Sequence, residues 1–252
     1  MLYLRAGGLS PRVRVLALDT STELGSVAIL VDGTLRAEIG ARVRTKHGET
    51  LLPLVRRALG LAGLSEASLD LIATGLGPGS FTGTRVGVAT AKGLALALGC
   101  PLVGVVSLRA IARGAPARLV APAVDAHKGE VYVALYEQTD AGLREHLAPA
   151  HAPPAEAVAR LREARPAGVE GWATGGSGVR RYPEALAALG ARVLPPVFDG
   201  PRAAVLAQEA IERFEAGGPD DLAALEPLYV RPSDATLPAG APAKAPKDQT
   251  EA

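Results

Sequence analysis

The sequence lacks the features that would place the protein outside the cell or in a membrane. Its 252 residues include a single cysteine, Cys100, so no intramolecular disulfide can form and a disulfide-stapled secreted fold is excluded. No run of about eighteen apolar residues is present, and the apolar segment at the start is too short for a signal peptide. We therefore expect a cytoplasmic protein with no membrane partner.

Strong net charge is also lacking. The formal net charge is +1 at pH 7, so bulk electrostatics cannot recruit nucleic acid or an anionic membrane. Arginines are concentrated only locally, with few aromatic residues between them, and such clusters are usually solvated faces. These clusters are Arg109, Arg113 and Arg118, then Arg160, Arg162 and Arg165, then Arg180 and Arg181.

The two ends of the chain lack the periodic apolar residues of the middle. Residues 1–12 are predicted to be a loose leader, and residues 235–252 are rich in proline, alanine and charge, which predicts a disordered tail. The whole chain is 48% hydrophobic, so the residues between these ends can form the core of one large domain or of two lobes.

The first lobe is predicted to span residues 13–106 in the order β-β-β-α-β-α-β. Strands are predicted at 13–18 and 26–31, and Asp32-Gly33 is a strong hairpin signal before a third strand. Helices are predicted at 49–63 and 81–98, each followed by a buried strand, at 69–76 and 102–106.

A second copy of this opening begins about a hundred residues later and defines a second lobe, residues 107–234. The stretch RLVAPAVDAHKGEVYVALYE again gives a strand that ends in aspartate, so Asp125 corresponds to Asp19. Two unrelated hairpins are the alternative. The duplication predicts a two-lobed α/β fold of the actin-like (ASKHA, ribonuclease H-like) type, with the segment around Tyr229 and Arg231 docking back on the first lobe as a structural element.

Glycine is concentrated in residues 75–87, GLGPGSFTGTRVG. The stretch ends a predicted strand and begins a predicted helix, where backbone N–H groups and the helix dipole can bind an anion. The Walker pattern is absent because Thr84 and Arg85 follow Gly83, and GxGxxG is not met. Asp19, Thr20 and Ser21 at the first turn could equally be ordinary turn residues that hydrogen-bond their own backbone and bind no nucleotide. If a nucleotide binds, the residues expected near it are Asp19, Thr20, Ser21, Gly77, Gly79 and Ser80.

Small residues continue along the helix that follows. Gly79, Gly83, Gly87, Ala91 and Ala95 recur every four residues, which predicts a helix face that another backbone can approach closely. Glycine within a helix costs about 1 kcal/mol relative to alanine, so a close contact must offset the loss. That contact is either with the chain's own sheet or with a partner's helix.

The helix at residues 49–63 has an apolar face wider than the roughly 100° stripe that one core requires. Such a face is typical of an interface, or of a helix that another helix of the same chain covers. We expect the two helices to form a surface that binds a partner, and the predicted interface residues are Leu51, Leu52, Val55, Leu59, Gly83, Val86, Gly87 and Thr90.

The sequence gives only weak support for a catalytic site. Ser80, His47 and Asp19 contain the residue types of a hydrolase triad, but Gly-x-Ser-x-Gly is absent. A small-molecule kinase that uses ATP is the stronger enzymatic alternative, with Asp125 as its base and residues 175–178 as its adenosine loop.

Several segments together resemble the bacterial TsaB/YeaZ family of threonylcarbamoyladenosine biosynthesis. They are DTSTELGSVAIL, KHGETLLPLV, GLGPGSFTGTRVGVATAKGLALALG, DAHKGEVYVALYE and EPLYVRPSDA, in this order, and the resemblance covers about residues 13–235. It implies the two-lobed actin-like fold and a heterodimer with the paralogous catalytic subunit TsaD, joined by the ATPase TsaE. TsaD transfers the threonylcarbamoyl group to the adenosine beside the tRNA anticodon.

The resemblance also implies what this chain does not do. TsaD resembles a metal-dependent transferase with a His-x-x-x-His pair, whereas here the residue four after His47 is Leu51. His127, His146 and His151 lie in a predicted hairpin tip or in unpatterned connections. We therefore expect no catalytic residues, no metal and no cofactor of its own, with ATP or ADP at the subunit junction, tRNA contact only through the complex, and a homodimer when TsaD is absent.

Overall fold

The computed structural model describes residues 13–43 and 47–231. The predicted leader and tail lie outside these residues. The described chain contains two mixed sheets of five strands each. None of its helices combines the length and apolar character needed to cross a membrane.

The first sheet has the strand order β3-β2-β1-β4-β5. Its first three strands pair antiparallel, and β4 and β5 run parallel to β1. Asp32 and Gly33 form the β2–β3 turn with positive φ, as the hairpin signal predicts. The strands are β1 (Arg14–Asp19), β2 (Leu24–Val31), β3 (Thr34–Arg42), β4 (Leu71–Gly75) and β5 (Leu102–Val105).

The second sheet repeats this topology in the order β8-β7-β6-β9-β10, with the same antiparallel and parallel pairs. The expected actin-like duplication is therefore confirmed, and Asp125 stands near the end of β6 as Asp19 stands at the end of β1. The strands are β6 (Leu119–His127), β7 (Glu130–Thr139), β8 (Gly142–Ala152), β9 (Trp172–Gly175) and β10 (Arg192–Val193).

Seven α-helices lie within the described residues. They are α1 (His47–Ala62), α2 (Phe81–Leu98), α3 (Ser107–Gly114), α4 (Pro154–Glu163), α5 (Ser177–Arg181), α6 (Pro183–Ala187) and α7 (Ala203–Gly217). Helices α1 and α2 cover one face of the first sheet, where Leu51 and Ala91 belong to a common core with Leu16 and Ile29. Apolar residues of α4 pack on the second sheet.

Helices α3 and α7 form a layer between the two sheets. Leu206 and its neighbours in α7 pack on the first sheet, whereas Leu108 and Ile111 of α3 pack on the second. Arg109 joins the helices through an ion pair with the buried Glu209, 2.6 Å between nitrogen and oxygen. Helix α7 lies within the predicted second lobe by sequence, yet it belongs to the first lobe by packing.

The segment after α7 connects the two lobes. The Gly104 amide donates to Asp220 Oδ2 at 2.7 Å, and the Leu228 amide donates to the Leu76 carbonyl at 2.7 Å, so this segment follows the first lobe. It then reaches the second lobe, where Arg231 donates to the Ala126 carbonyl at 3.2 Å.

Candidate functional site

The turn after β1 is buried and hydrogen-bonded to its own lobe. Asp19 is fully buried, and its Oδ1 accepts from the Ser21 amide at 2.8 Å and the Ser21 hydroxyl at 2.7 Å. Its Oδ2 accepts from the Ser107 hydroxyl at 2.5 Å, and Ser107 Oγ in turn accepts from the Gly77 amide at 3.0 Å. Both carboxylate oxygens of Asp19 therefore bind side chains or backbone of the same chain.

Thr20 and Ser21 connect this turn to the glycine-rich stretch. The Thr20 hydroxyl donates to the Gly83 carbonyl at 2.7 Å, and the Ser80 amide donates to the Ser21 carbonyl at 2.7 Å. The Ser80 hydroxyl accepts from the Gly83 amide at 3.2 Å and is the N-cap of α2. In this arrangement, Ser80 stabilises a helix end.

The glycine stripe of α2 packs against this turn. A Cβ atom at Gly79 would lie 2.0 Å from the Ser21 carbonyl oxygen, and one at Gly83 would lie 2.2 Å from the Thr20 carbonyl oxygen. One at Gly87 would lie 2.5 Å from Thr20 Oγ1. The spacing allowed a contact either with the chain's own sheet or with a partner's helix. The structure shows the contact within the chain, at the turn that follows β1. Gly83 and Gly87 are buried there, and their contact with a partner stays a prediction.

The predicted interface residues of α1 separate into two groups. Leu51, Val55 and Leu59 are almost fully buried in the core on the first sheet, and their contact with a partner stays a prediction. Leu52 is 42% exposed, and Val86 and Thr90 on α2 are half-buried. Two leucines of these helices that the sequence prediction omitted are also exposed, Leu61 at 66% and Leu96 at 75%.

A cavity of about 470 Å³ lies between the lobes at the tips of the two aspartate hairpins. Ser21 and Ser80 line it, whereas Asp19, Thr20, Gly77 and Gly79 are not among its lining residues. The second lobe contributes Asp125, Ser177, Arg180 and Asp199, among others.

Three charged groups of this cavity, Asp125, Arg180 and Asp199, are bonded within the chain. Asp125 Oδ1 accepts from the His127 amide at 2.9 Å, and the Asp125 amide donates to Ser177 Oγ at 3.1 Å. Arg180 Nε lies 3.1 Å from Asp199 Oδ1. Burial raises the pKa of Asp199 above its ordinary value, although the hydrogen bond with Arg180 opposes this.

The hydrolase triad receives no geometric support. Asp19 is bonded to Ser21 and Ser107, Ser80 caps a helix, and the side chain of His47 lies outside the described part of the chain. His146 and His151 were expected in connections between elements, but both lie on strand β8. His146 Nε2 is 3.0 Å from Glu137 Oε2. Within residues 13–43 and 47–231, no three His, Cys, Asp or Glu residues are grouped so that they could hold a metal ion.

The arginine clusters are largely neutralised by neighbouring carboxylates. Arg113 pairs with both Glu209 and Glu212, and Arg118 lies 2.9 Å from Glu137. Arg160 pairs with Glu156 one helical turn earlier. These contacts favour a structural role for the clusters.

Comparisons with known proteins agree with this architecture. The family model of TsaD, tRNA N6-adenosine threonylcarbamoyltransferase, matches residues 41–225. The tRNA threonylcarbamoyladenosine biosynthesis protein TsaB of Escherichia coli is 35% identical over 230 residues, which is 87% of this chain and 95% of that protein. TsaB of Haemophilus influenzae is 41% identical over 122 residues, 47% of this chain and 51% of that protein.

Solved structures give the same result. The crystal structure of a Pseudomonas aeruginosa protein described as similar to peptidase YeaZ has a TM-score of 0.77 and 32% identity, and the match covers 87% of this chain and 100% of that one. On sequence and fold together, the chain belongs to the TsaB/YeaZ family.

Proposed function

We propose that this chain is a non-catalytic subunit in tRNA threonylcarbamoyladenosine biosynthesis. It pairs with TsaD and supports the binding of TsaE, so that TsaD transfers the threonylcarbamoyl group to the adenosine beside the anticodon. The similarity to Escherichia coli TsaB over 95% of that protein supports this assignment. The complex works in the cytoplasm and contacts tRNA as a whole.

The observation that carries the proposal is that the polar groups of the turn after β1 are engaged within the first lobe, whereas helices α1 and α2 keep accessible apolar side chains. The Asp19 carboxylate and the Ser21, Ser107 and Ser80 hydroxyls are engaged in hydrogen bonds that build the first lobe. A general base must instead reach a substrate proton. These residues are therefore better suited to hold the lobe than to perform chemistry.

The helix pair offers a surface for a partner. Leu52 on α1 is exposed, and Val86 and Thr90 on α2 are half-buried, so these three side chains remain accessible. Accessible apolar side chains at the margin of a buried helix face are typical of protein interfaces. TsaD and a second copy of this chain compete for the surface, which gives a homodimer when TsaD is absent, and an adenine nucleotide binds near the junction in the complex.

The pairing surface is tested by the double variant Leu52→Asp/Thr90→Asp. Both positions are accessible, so the variant folds, while two carboxylates in an apolar interface weaken pairing. We expect sedimentation to show loss of self-association and pull-down of purified TsaD to fall about tenfold or more, since each buried unpaired charge costs several kcal/mol. The control is Val197→Asp, an equally apolar and 58% exposed position in the second lobe.

The isolated chain is also tested for the kinase alternative. We expect no ATP turnover with or without sugar or carboxylate acceptors, because Asp125 is bonded to its own hairpin. Turnover that disappears in Asp125→Asn would contradict a non-catalytic role. Unchanged pairing in the double variant would place the interface elsewhere on the chain.

A further inference from the structure

A second interlobe cavity, of about 730 Å³, lies on the side of the glycine-rich stretch where the chain's last described residues pass. It is bounded by the start of α2, by the β6–β7 turn and by residues 227–231. Its volume is within the roughly 300–1,000 Å³ that small-molecule sites occupy. The lining side chains that carry the argument are Phe81, Arg85, Lys128, Tyr132, Tyr229 and Arg231.

Two aromatic rings and an arginine form a stacked cluster at this cavity. The ring centroids of Phe81 and Tyr229 are 5.7 Å apart, and the Arg85 guanidinium carbon lies 3.6 Å from the Phe81 centroid. Arg85 Nε also donates to the Tyr229 hydroxyl at 2.7 Å, which fixes the guanidinium plane. Both rings remain about half exposed, at 50% and 47%. The cluster is therefore preorganised and retains open aromatic surface.

The charge of the lining is positive. Arg85, Lys128 and Arg231 contribute three cations, and no aspartate or glutamate is among the lining residues that the structure describes. Arg231 is directed to the Ala126 carbonyl and lies 3.4 Å from Glu130, so it closes the cavity wall. Arg85 and Lys128 are exposed cations of the lining. The first cavity differs, because carboxylates and arginines share its lining.

We propose that this cavity binds a nucleotide, with the base stacked on the Phe81–Arg85–Tyr229 cluster and the phosphate near Lys128. Unpaired bases stack on aromatic rings and on arginine planes, and basic side chains track the phosphates. The base and phosphate can belong either to a free mononucleotide or to single-stranded RNA. The inference concerns binding by this chain alone and does not rest on its role in tRNA modification.

The experiment measures fluorescence anisotropy of a labelled single-stranded oligoadenylate of about ten nucleotides, a length within the range one such groove holds. The full chain is titrated at low salt and again at two higher salt concentrations, and AMP is the competitor. Tyr229→Ala should weaken binding roughly 5- to 100-fold, as removal of a stacked aromatic does. Tyr229→Phe keeps the ring and should retain most of the affinity. Lys128→Glu should weaken binding about tenfold and reduce its salt dependence.

Two controls separate the cavity from general effects of charge and exposure. Arg36→Glu makes the same reversal of charge at an exposed position on β3 that lines neither interlobe cavity. An abasic oligomer of equal length tests whether the base is recognised, and circular dichroism verifies that each variant is folded.

The outcomes separate the two sources of ligand. Displacement of the oligomer by AMP at a concentration similar to that of added oligomer supports a mononucleotide site, and binding of the oligomer without displacement by AMP supports an RNA site. Equal binding of the abasic oligomer would show attraction by charge alone and overturn the proposal. It would also be overturned if neither probe bound, or if Lys128→Glu and Arg36→Glu had the same effect. These results leave pairing with TsaD untouched, so the two proposals fail separately.

Discussion

Replacing Gly83 with alanine tests whether the stripe on α2 exists for packing against the Asp19–Ser21 turn. The new methyl group would lie 2.2 Å from the Thr20 carbonyl oxygen, a backbone atom that cannot rotate away. Gly93 on the same helix is the matched control, because nothing lies within 4 Å of a Cβ atom built there.

The magnitudes follow from these two environments. At Gly93, alanine raises stability by about 1 kcal/mol through its helix propensity. At Gly83, alanine gains at most the same helix propensity. Overpacking against the Thr20 carbonyl opposes this gain and costs roughly 1–3 kcal/mol. The displacement also breaks the 2.7 Å hydrogen bond from the Thr20 hydroxyl to the Gly83 carbonyl, and such bonds contribute about 1 kcal/mol. We expect a net loss for Gly83→Ala of roughly 1–3 kcal/mol.

The assay is thermal unfolding followed by circular dichroism, with urea unfolding as a second measure. For a chain of this size, 1 kcal/mol changes Tm by roughly 2–4 °C, so Gly93→Ala should raise Tm by that amount and Gly83→Ala should lower it by roughly 2–12 °C. If Gly83→Ala were as stable as the parent, or if both variants changed Tm equally, the close approach would not constrain this position.

Three further predictions concern the polar contacts inside the chain. Ser107→Ala removes a donor to the buried Asp19 carboxylate, so we expect a loss of about 1–3 kcal/mol in urea unfolding, with little change in Ser68→Ala, whose hydroxyl is exposed. The hydrogen bonds from His146 and Arg118 hold the pKa of Glu137 below its ordinary value, so its stabilisation is present above that ordinary value and is lost as pH falls through the lowered one. Glu137→Gln should therefore flatten the decline of Tm in acid, and an unchanged slope would contradict this. Glu209→Ala leaves Arg109 without its buried partner and should cost roughly 3 kcal/mol or more in the same unfolding assay.

The sequence was sufficient for the hairpin that begins each sheet, because local signals mark its strands and its turn. Alternating apolar residues and the Asp32-Gly33 turn locate the first hairpin, and the repeated strand-aspartate pattern locates its counterpart at Asp125. Helix α2 begins at Phe81 and ends at Leu98 as predicted, because Ser80 is a capping residue and Gly99 adopts the left-handed conformation that ends the helix.

The sequence did not predict contacts between residues that are far apart along the chain. Ser107 bonds to Asp19 across 88 positions, and no local pattern marks it. Strand β8 was missed because His146, Pro149 and the residues around them do not alternate clearly between apolar and polar at this sheet edge.

For a related reason, the sequence did not separate the apolar residues of α1 that lie in the core from those that stay exposed. A wide apolar face shows that much surface must be covered, but it does not show what covers it. The first sheet and α2 together cover Leu51, Val55 and Leu59, which leaves Leu52 at the margin of the buried face. The identity of a partner surface therefore required the positions of neighbouring helices.

The most direct test of the proposed function is reconstituted tRNA modification. TsaD, TsaE and the enzyme that supplies threonylcarbamoyl-adenylate are incubated with tRNA, and the modified adenosine is measured by mass spectrometry of the digested tRNA. We expect modification to require this chain, to persist with Val197→Asp and to be lost with Leu52→Asp/Thr90→Asp. Full modification without the chain, or with the double variant, would contradict a role that depends on pairing through α1 and α2.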